Sequence, residues 1–272
     1  METETVNFYT HNLNPFIPIL EVPYYWLVYS LGLVFVWWSG RHLIRKGAAH
    51  QVTEKDFIDY LLICWLAMLV GARLFYVFVY NYGYFETRPL EILYFWQGGM
   101  SFHGGVLGAL VGILLIARFI KKTSPLPVSD LALISLPMVI AFGRLANFIN
   151  GELAGRVSYV PWAVIFPRYG DGLPRHPSQI YEALAEGLVL YIFLMLRQKD
   201  LQIPGRISSY FVMGYAVLRF CVEFFRQPDP QIGYIGVWAL TLGQYLCLAM
   251  FVFGLGVYWL SRTRTESLDR LR

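Results

Sequence analysis

Charge is scarce in this chain: only 15% of its 272 residues are Asp, Glu, Lys or Arg, while 57% are apolar and the mean hydropathy is +0.49. A water-facing exterior needs a charged surface, so this scarcity makes hydrocarbon the surrounding solvent and points to an integral membrane protein. Cysteine is scarce too. Cys64, Cys221 and Cys247 lie in apolar segments without ligand spacing or close pairs, so they read as small buried hydrophobes and exclude a disulfide framework. Zinc-protease helix, nucleophile elbow, P-loop and dinucleotide fingerprint are all missing. Hydrolysis through a metal or a serine therefore loses support, and neither metal nor cofactor is expected. The formal charge of +4 comes without a basic stripe interleaved with aromatics, which argues against nucleic acid as a partner.

What the chain does have is long apolar runs. A spanning helix needs roughly 20 largely apolar residues, and seven stretches qualify: 23–40, 57–80, 100–117, 128–149, 178–196, 207–225 and 236–260. The expected fold is an all-α polytopic bundle of seven transmembrane helices forming a single membrane domain over residues 1–272, with a small outer-face head near 150–177. Residues 1–21 contain no Lys or Arg, so the first run reads as a retained span with the N-terminus outside. Fourteen cations then fall in the loops after runs one, three and five and in the C-terminal tail, against five on the other side: Arg88, Arg156, Arg168, Arg175 and Arg226. Such an excess marks the cytoplasmic face and puts the C-terminus inside.

The remaining three cations, Arg73, Arg144 and Arg219, fall within or at the edges of the runs. A charge there costs about 3 kcal/mol or more unless it meets a partner or a polar cavity, so such residues mark function. Glu223 follows Arg219 by four residues and Tyr215 precedes it by four, which stacks all three on one helical face. Arg144 and Asn147 share a face at a spacing of three, and Glu152 follows just past the helix end. His103 sits between two pairs of glycines, Gly98-Gly99 and Gly104-Gly105, where the backbone can turn tightly and a ligand can approach; its imidazole is a natural proton acceptor near neutral pH. Gly104, Gly108 and Gly112 read as a small-residue face for close helix contact. His176, before Pro177, reads as an organiser of the entry to the fifth run. By orientation, His103, Arg144, Glu152 and Glu223 should converge in the outer half. Ion conduction is poorly served, since it needs a polar lining along the whole pore.

The stretch Gly143–Gly155, with Tyr25, Gly71-Ala72-Arg73, Gly98–Gly105, Arg175–Glu182 and Tyr215–Asp229, closely resembles the bacterial prolipoprotein diacylglyceryl transferase family over nearly the whole chain. The resemblance implies a seven-span protein of the bacterial inner membrane with an outer head. It implies transfer of a diacylglyceryl group from phosphatidylglycerol to the lipobox cysteine thiol of a preprolipoprotein, forming a thioether and releasing glycerol phosphate. Partners would be phosphatidylglycerol, the lipobox signal peptide and membrane lipids, with no cofactor. Carried onto this sequence, Arg144 and Arg219 would serve the phosphate and His103 proton transfer. Tyr25, Asn147, Glu152, Gly155, Tyr215 and Glu223 would shape the substrate site, joined by Arg73. Ala146 stands where the resemblance leads one to expect glycine. Two rival classes exist. A phospholipid transporter or flippase should show access from both sides and repeat symmetry, and a packing scaffold leaves His103 unexplained.

Overall fold

The computed structural model describes residues 8–16, 24–95, 98–228 and 233–269, excluding the side chains of Tyr25, Trp26, Tyr29, Phe102 and residues 264–269. Its helices, in chain order, are α1 (Tyr24–Arg45), α2 (Glu54–Phe75), α3 (Tyr82–Glu86), α4 (Phe102–Leu115), α5 (Leu126–Leu133), α6 (Leu136–Ile149), α7 (Ser178–Glu182), α8 (Leu190–Leu196), α9 (Arg206–Val222) and α10 (Leu242–Asp269). Wide π-type turns extend α2 over Tyr76–Tyr80 and α4 over Ile116–Lys121, and join α7 to α8 over Ala183–Val189.

Five continuous helical stretches are long and apolar enough to cross a membrane: Glu54–Tyr80, His103–Lys121, Ser178–Leu196, Arg206–Phe225 and Leu242–Thr263. A sixth is α5 with α6, which the sequence suggested as one run and which the structure bends by 43° at Ile134-Ser135. The cause is in the sequence: Pro137 has no N–H to give the preceding turn and its ring clashes with a carbonyl four residues back. At the break, Ser135 Oγ donates to Ser39 Oγ of α1 at 2.6 Å, which gives the interrupted chain a polar partner. Helix α1 is 22 residues long, about 33 Å at 1.5 Å per residue. The described chain thus has five such helices, or six with the bent pair, where seven runs were expected. The last run also starts later than expected, because β4 (Tyr234–Ile235) and β5 (Leu240–Thr241) form a hairpin ahead of α10.

Small residues set the closest helix contact. A Cβ on Gly108 would lie 2.1 Å from Ala67 O, one on Gly104 2.4 Å from Gly71 O, and one on Gly112 2.7 Å from Ala67 Cβ. The expected glycine face is therefore the α2–α4 interface. A second polar anchor fixes α9: the fully buried Asp130 of α5 accepts from Gly205 N at 2.6 Å, Ser208 N at 2.7 Å and Ser208 Oγ at 2.5 Å. These are the orphan N–H groups of the α9 start, capped by a side chain from another helix.

The two ends of the bundle differ. At one, Lys121 bridges Asp56 and Asp59, Glu54 pairs with Arg41 and Arg45, and Gln51 donates to Gln202 O, which gathers the cation-rich loops. At the other, β1 (Tyr9–Thr10), β2 (Val164–Ile165) and β3 (Pro174–Arg175) form a three-stranded cap, β1 parallel and β3 antiparallel to β2. Its small core holds Ala154, Val164 and Phe166 against Phe148 at the end of α6, with His11 packed between Phe148 and Phe166. Cys64, Cys221 and Cys247 are free thiols, and Cys221 is exposed on the bundle's flank where burial was expected.

Candidate active site

Three guanidiniums meet three carboxylates between α6, α7, the 183–189 turn and α9. Arg144 projects from α6 and places Nε 2.8 Å from Glu182 Oε2 and Nη2 3.9 Å from Glu186 Oε2. Arg219 of α9 reaches the same two carboxylates, with Nη1 3.7 Å from Glu182 Oε2 and 3.6 Å from Glu186 Oε1. Its Nη2 lies 2.8 Å from Glu223 Oε2, the pair expected from their four-residue spacing. Arg226, just past α9, closes the ring on Glu182 Oε1 through Nη1 and on Glu223 Oε2 through Nε at 3.2 Å. Glu182 and Glu186 are fully buried, whereas the Arg144 side chain keeps 22% exposure and Arg219 15%. Buried acids thus hold the cations from behind, and the cations keep an open edge.

Local sequence explains the assembly. Glu182 and Glu186 are four residues apart, so they share a face of the fifth run. Gly187 lets α6 come close, since a Cβ there would sit 2.4 Å from Ala141 Cβ. Glu223 is fixed from its far side by Thr241 Oγ1, which donates to Oε1 at 3.0 Å from the β5 end of the hairpin. Arg226 is turned inward by backbone pairing with Gly155, where a Cβ would meet Phe225 O at 2.3 Å and His176 O at 2.9 Å. No side chain fits at Gly155, so its role is to let two loops touch. Ala146, buried, is accommodated in α6.

A second polar knot follows α6. Asn147 Nδ2 donates to Glu152 Oε1 at 3.0 Å, Asn150 Nδ2 to the same oxygen at 3.3 Å, and Gln179 Nε2 to Glu152 O at 2.6 Å. Glu152 also pairs with the exposed Arg168 at 3.4 Å. The knot pins the start of α7, next to Glu182, onto the end of α6. Tyr215 stands one turn before Arg219 with its ring stacked on Phe211.

Arg73 and His103 belong to the α2–α4 pair, Arg73 at the end of α2 and His103 at the start of α4. His103 is the exposed second residue of α4, whose extensive packing among the described residues is with α2. Convergence with Arg144 does not follow from that packing. Arg73 is buried and its guanidinium is spent on backbone: Nε donates to Ile92 O at 2.9 Å, Nη1 to Gly98 O at 2.5 Å and Gly99 O at 3.1 Å, and Nη2 to Glu91 O at 2.7 Å. It organises the loop that leads into His103. The side chain of Tyr25 and all of Asp229 fall outside the described residues.

Glu182, Glu186 and Arg226 complete the cluster, and the sequence reading did not single them out as site residues. The signal was present for the two acids: paired carboxylates in an apolar run cost as much as an arginine there.

A family model described as prolipoprotein diacylglyceryl transferase matches residues 15–260. The chain belongs to the prolipoprotein diacylglyceryl transferase family. Relatives carrying the name phosphatidylglycerol–prolipoprotein diacylglyceryl transferase include one from Bordetella parapertussis, 44% identical over 239 residues, covering 88% of this chain and 90% of the relative. One from Rhodospirillum rubrum is 43% identical over 245 residues, covering 89% and 88%. One from Brucella anthropi is 43% identical over 261 residues, covering 92% and 91%. The cluster assembled above draws on two of the stretches that carried the resemblance: Arg144 comes from Gly143–Gly155, and Arg219, Glu223 and Arg226 from Tyr215–Asp229.

Proposed function

We propose that this protein transfers the diacylglyceryl group of phosphatidylglycerol to the lipobox cysteine of a preprolipoprotein. The observation that carries the reading is the pair Arg144 and Arg219, held by shared buried carboxylates with open edges in an apolar bundle. In the reaction, the sulfur electron pair attacks the glyceryl carbon, a C–S bond forms, and the C–O bond to phosphate breaks with its pair going to oxygen. Negative charge grows on the leaving phosphate. Guanidiniums match phosphate oxygens in a planar fork, and fixed charge in a water-poor site lowers such a barrier by several kcal/mol.

The thiol must also lose its proton, since the thiolate is the nucleophile. In this reading His103 is the base and works from the α4 side. Asn147, Glu152, Gly155, Tyr215, Glu223 and Tyr25 shape the substrate site, and Arg73 acts by shaping the loop before His103. The bundle spans the bacterial cytoplasmic membrane seven times as one domain, with α1 counted as the first span and the cap near 150–177 on the outer face. The gathering of cation-rich loops at the opposite end supports N-terminus out and C-terminus in.

Incubating a lipobox peptide and the purified protein with phosphatidylglycerol radiolabelled in the glycerol of its diacylglyceryl group tests the reading, because alkali strips the ester-linked acyl chains and only a thioether keeps the label on the peptide. Absence of that label would sink it. His103→Gln should abolish transfer between about pH 6 and 8, around the ordinary imidazole range. Near wild-type rates in that variant would remove the base assignment while leaving the transferase reading intact.

A further inference from the structure

The charges of the cluster balance before any lipid arrives. Arg144, Arg219 and Arg226 face Glu182, Glu186 and Glu223, three cations against three carboxylates. A phosphodiester docking on the arginines brings one more negative charge into a site largely shut off from water. Leaving that charge uncompensated is expensive in a low-dielectric interior, so something must take up a proton or leave.

The three acids are not equally anchored. Glu182 has Arg226 on Oε1 and Arg144 Nε 2.8 Å from Oε2. Glu223 accepts from Thr241 on Oε1 and has Arg219 2.8 Å from Oε2. Glu186 is fully buried and, among the described residues, neither of its oxygens receives a hydrogen bond, with its guanidiniums at 3.6 and 3.9 Å. Every element around it supplies a facing group: Arg144 from α6, Glu182 from α7, Arg219 and Tyr215 from α9, Arg226 beyond α9 and Cys247 from α10. Helix α8 carries no charged residue.

We infer that Glu186 is the proton-accepting carboxyl of the phospholipid site: it binds one proton from solvent as the lipid phosphate docks on Arg144 and Arg219, keeping the cluster neutral. This rests on the phosphate-clamp reading above. Glu186 makes no bond to the lipid. Protonated, it releases the claim of its carboxylate on both guanidiniums, whose open edges then serve the phosphate alone. The lipid anion and the Glu186 anion thereby compete for the same two cations, and the proton decides between them.

Calorimetric titration of the protein in detergent with short-chain phosphatidylglycerol, at about pH 8 in buffers of differing ionisation enthalpy, counts the protons taken up on binding. The wild-type protein should take up about one proton per lipid, with Kd weakening about tenfold per pH unit on the alkaline side. Glu186→Gln, a fixed stand-in for the protonated acid, should bind phosphatidylglycerol with no proton uptake and no such slope. A short-chain diacylglycerol, which lacks phosphate, should bind the wild-type protein without uptake. Zero uptake by the wild-type protein, or unchanged uptake in Glu186→Gln, overturns the proposal, and the wild-type count decides even if the variant fails to fold. Arg144→Gln separates the two levels. Weakened phosphatidylglycerol binding in that variant with zero wild-type uptake sinks the Glu186 role alone. Undiminished binding sinks the clamp beneath it.

Discussion

Replacing Arg144 by Lys keeps the charge and removes the fork, which makes it the sharpest test of the cluster. In the structure Nε of Arg144 lies 2.8 Å from Glu182 and Nη2 lies 3.9 Å from Glu186, so one planar group addresses two acids while its side chain stays 22% exposed. An ammonium is a single point of charge and cannot cover both directions at once. The substitution therefore loses at least one charge-assisted hydrogen bond to the departing phosphate, worth about 1.5–3 kcal/mol. In rate that is roughly a 10- to 150-fold loss of turnover. Labelled transfer to a lipobox peptide measures it, with thermal unfolding of the same sample as a check on folding. Arg168→Lys, at an exposed surface pair with Glu152, is the control and should remain near wild type. If Arg144→Lys turned over at the full rate while folded, the fork would be irrelevant and the argument from bidentate geometry wrong.

Gly155→Ala should lower both thermal stability, by about 1–3 kcal/mol or more, and transfer, because its methyl meets the backbone of Phe225 and His176 and the loop carrying Arg226 must retreat. Asp130→Asn turns one acceptor into a donor facing the N–H groups of the α9 start; a loss of about 3 kcal/mol or more should appear as a lower Tm, and an unchanged Tm would refute the trans cap. His176 is held below the ordinary imidazole range by burial and then by the nearby Arg156 cation. Its unfolded form therefore binds a proton more readily than its folded form, so its contribution is intact above about pH 6.5 and shrinks as pH falls below that. Wild-type Tm should drop more than that of His176→Gln between neutral and mildly acidic buffer, and parallel curves would refute this.

How much of this was legible in the sequence follows from what each feature depends on. The apolar runs and the glycine face of α4 were readable because hydrocarbon length and Cβ-free approach are local properties. Arg219 with Glu223 was readable because a helix fixes four-residue neighbours, and their 2.8 Å pair follows from that spacing alone. Glu182 and Glu186 obey the same rule, and the cost argument used for the arginines applies equally to them. Arg226 could not be read this way. By position it is a loop cation, and only the pairing of its backbone with Gly155, seventy-odd residues away in sequence, turns it onto Glu182. The strand β1 that completes the cap is likewise a long-range pairing that a two-residue segment does not announce. For Arg73 the sequence marked the expense of its position but not the remedy, since four backbone carbonyls of one loop meet its guanidinium in place of a substrate or an acid. The cost of an intramembrane charge is thus a property of residue and depth, while the group that offsets it is chosen by helix packing. Here that choice rests on contacts as small as Gly187 against Ala141, where one added methyl group would push α6, and Arg144 with it, away from Glu182 and Glu186.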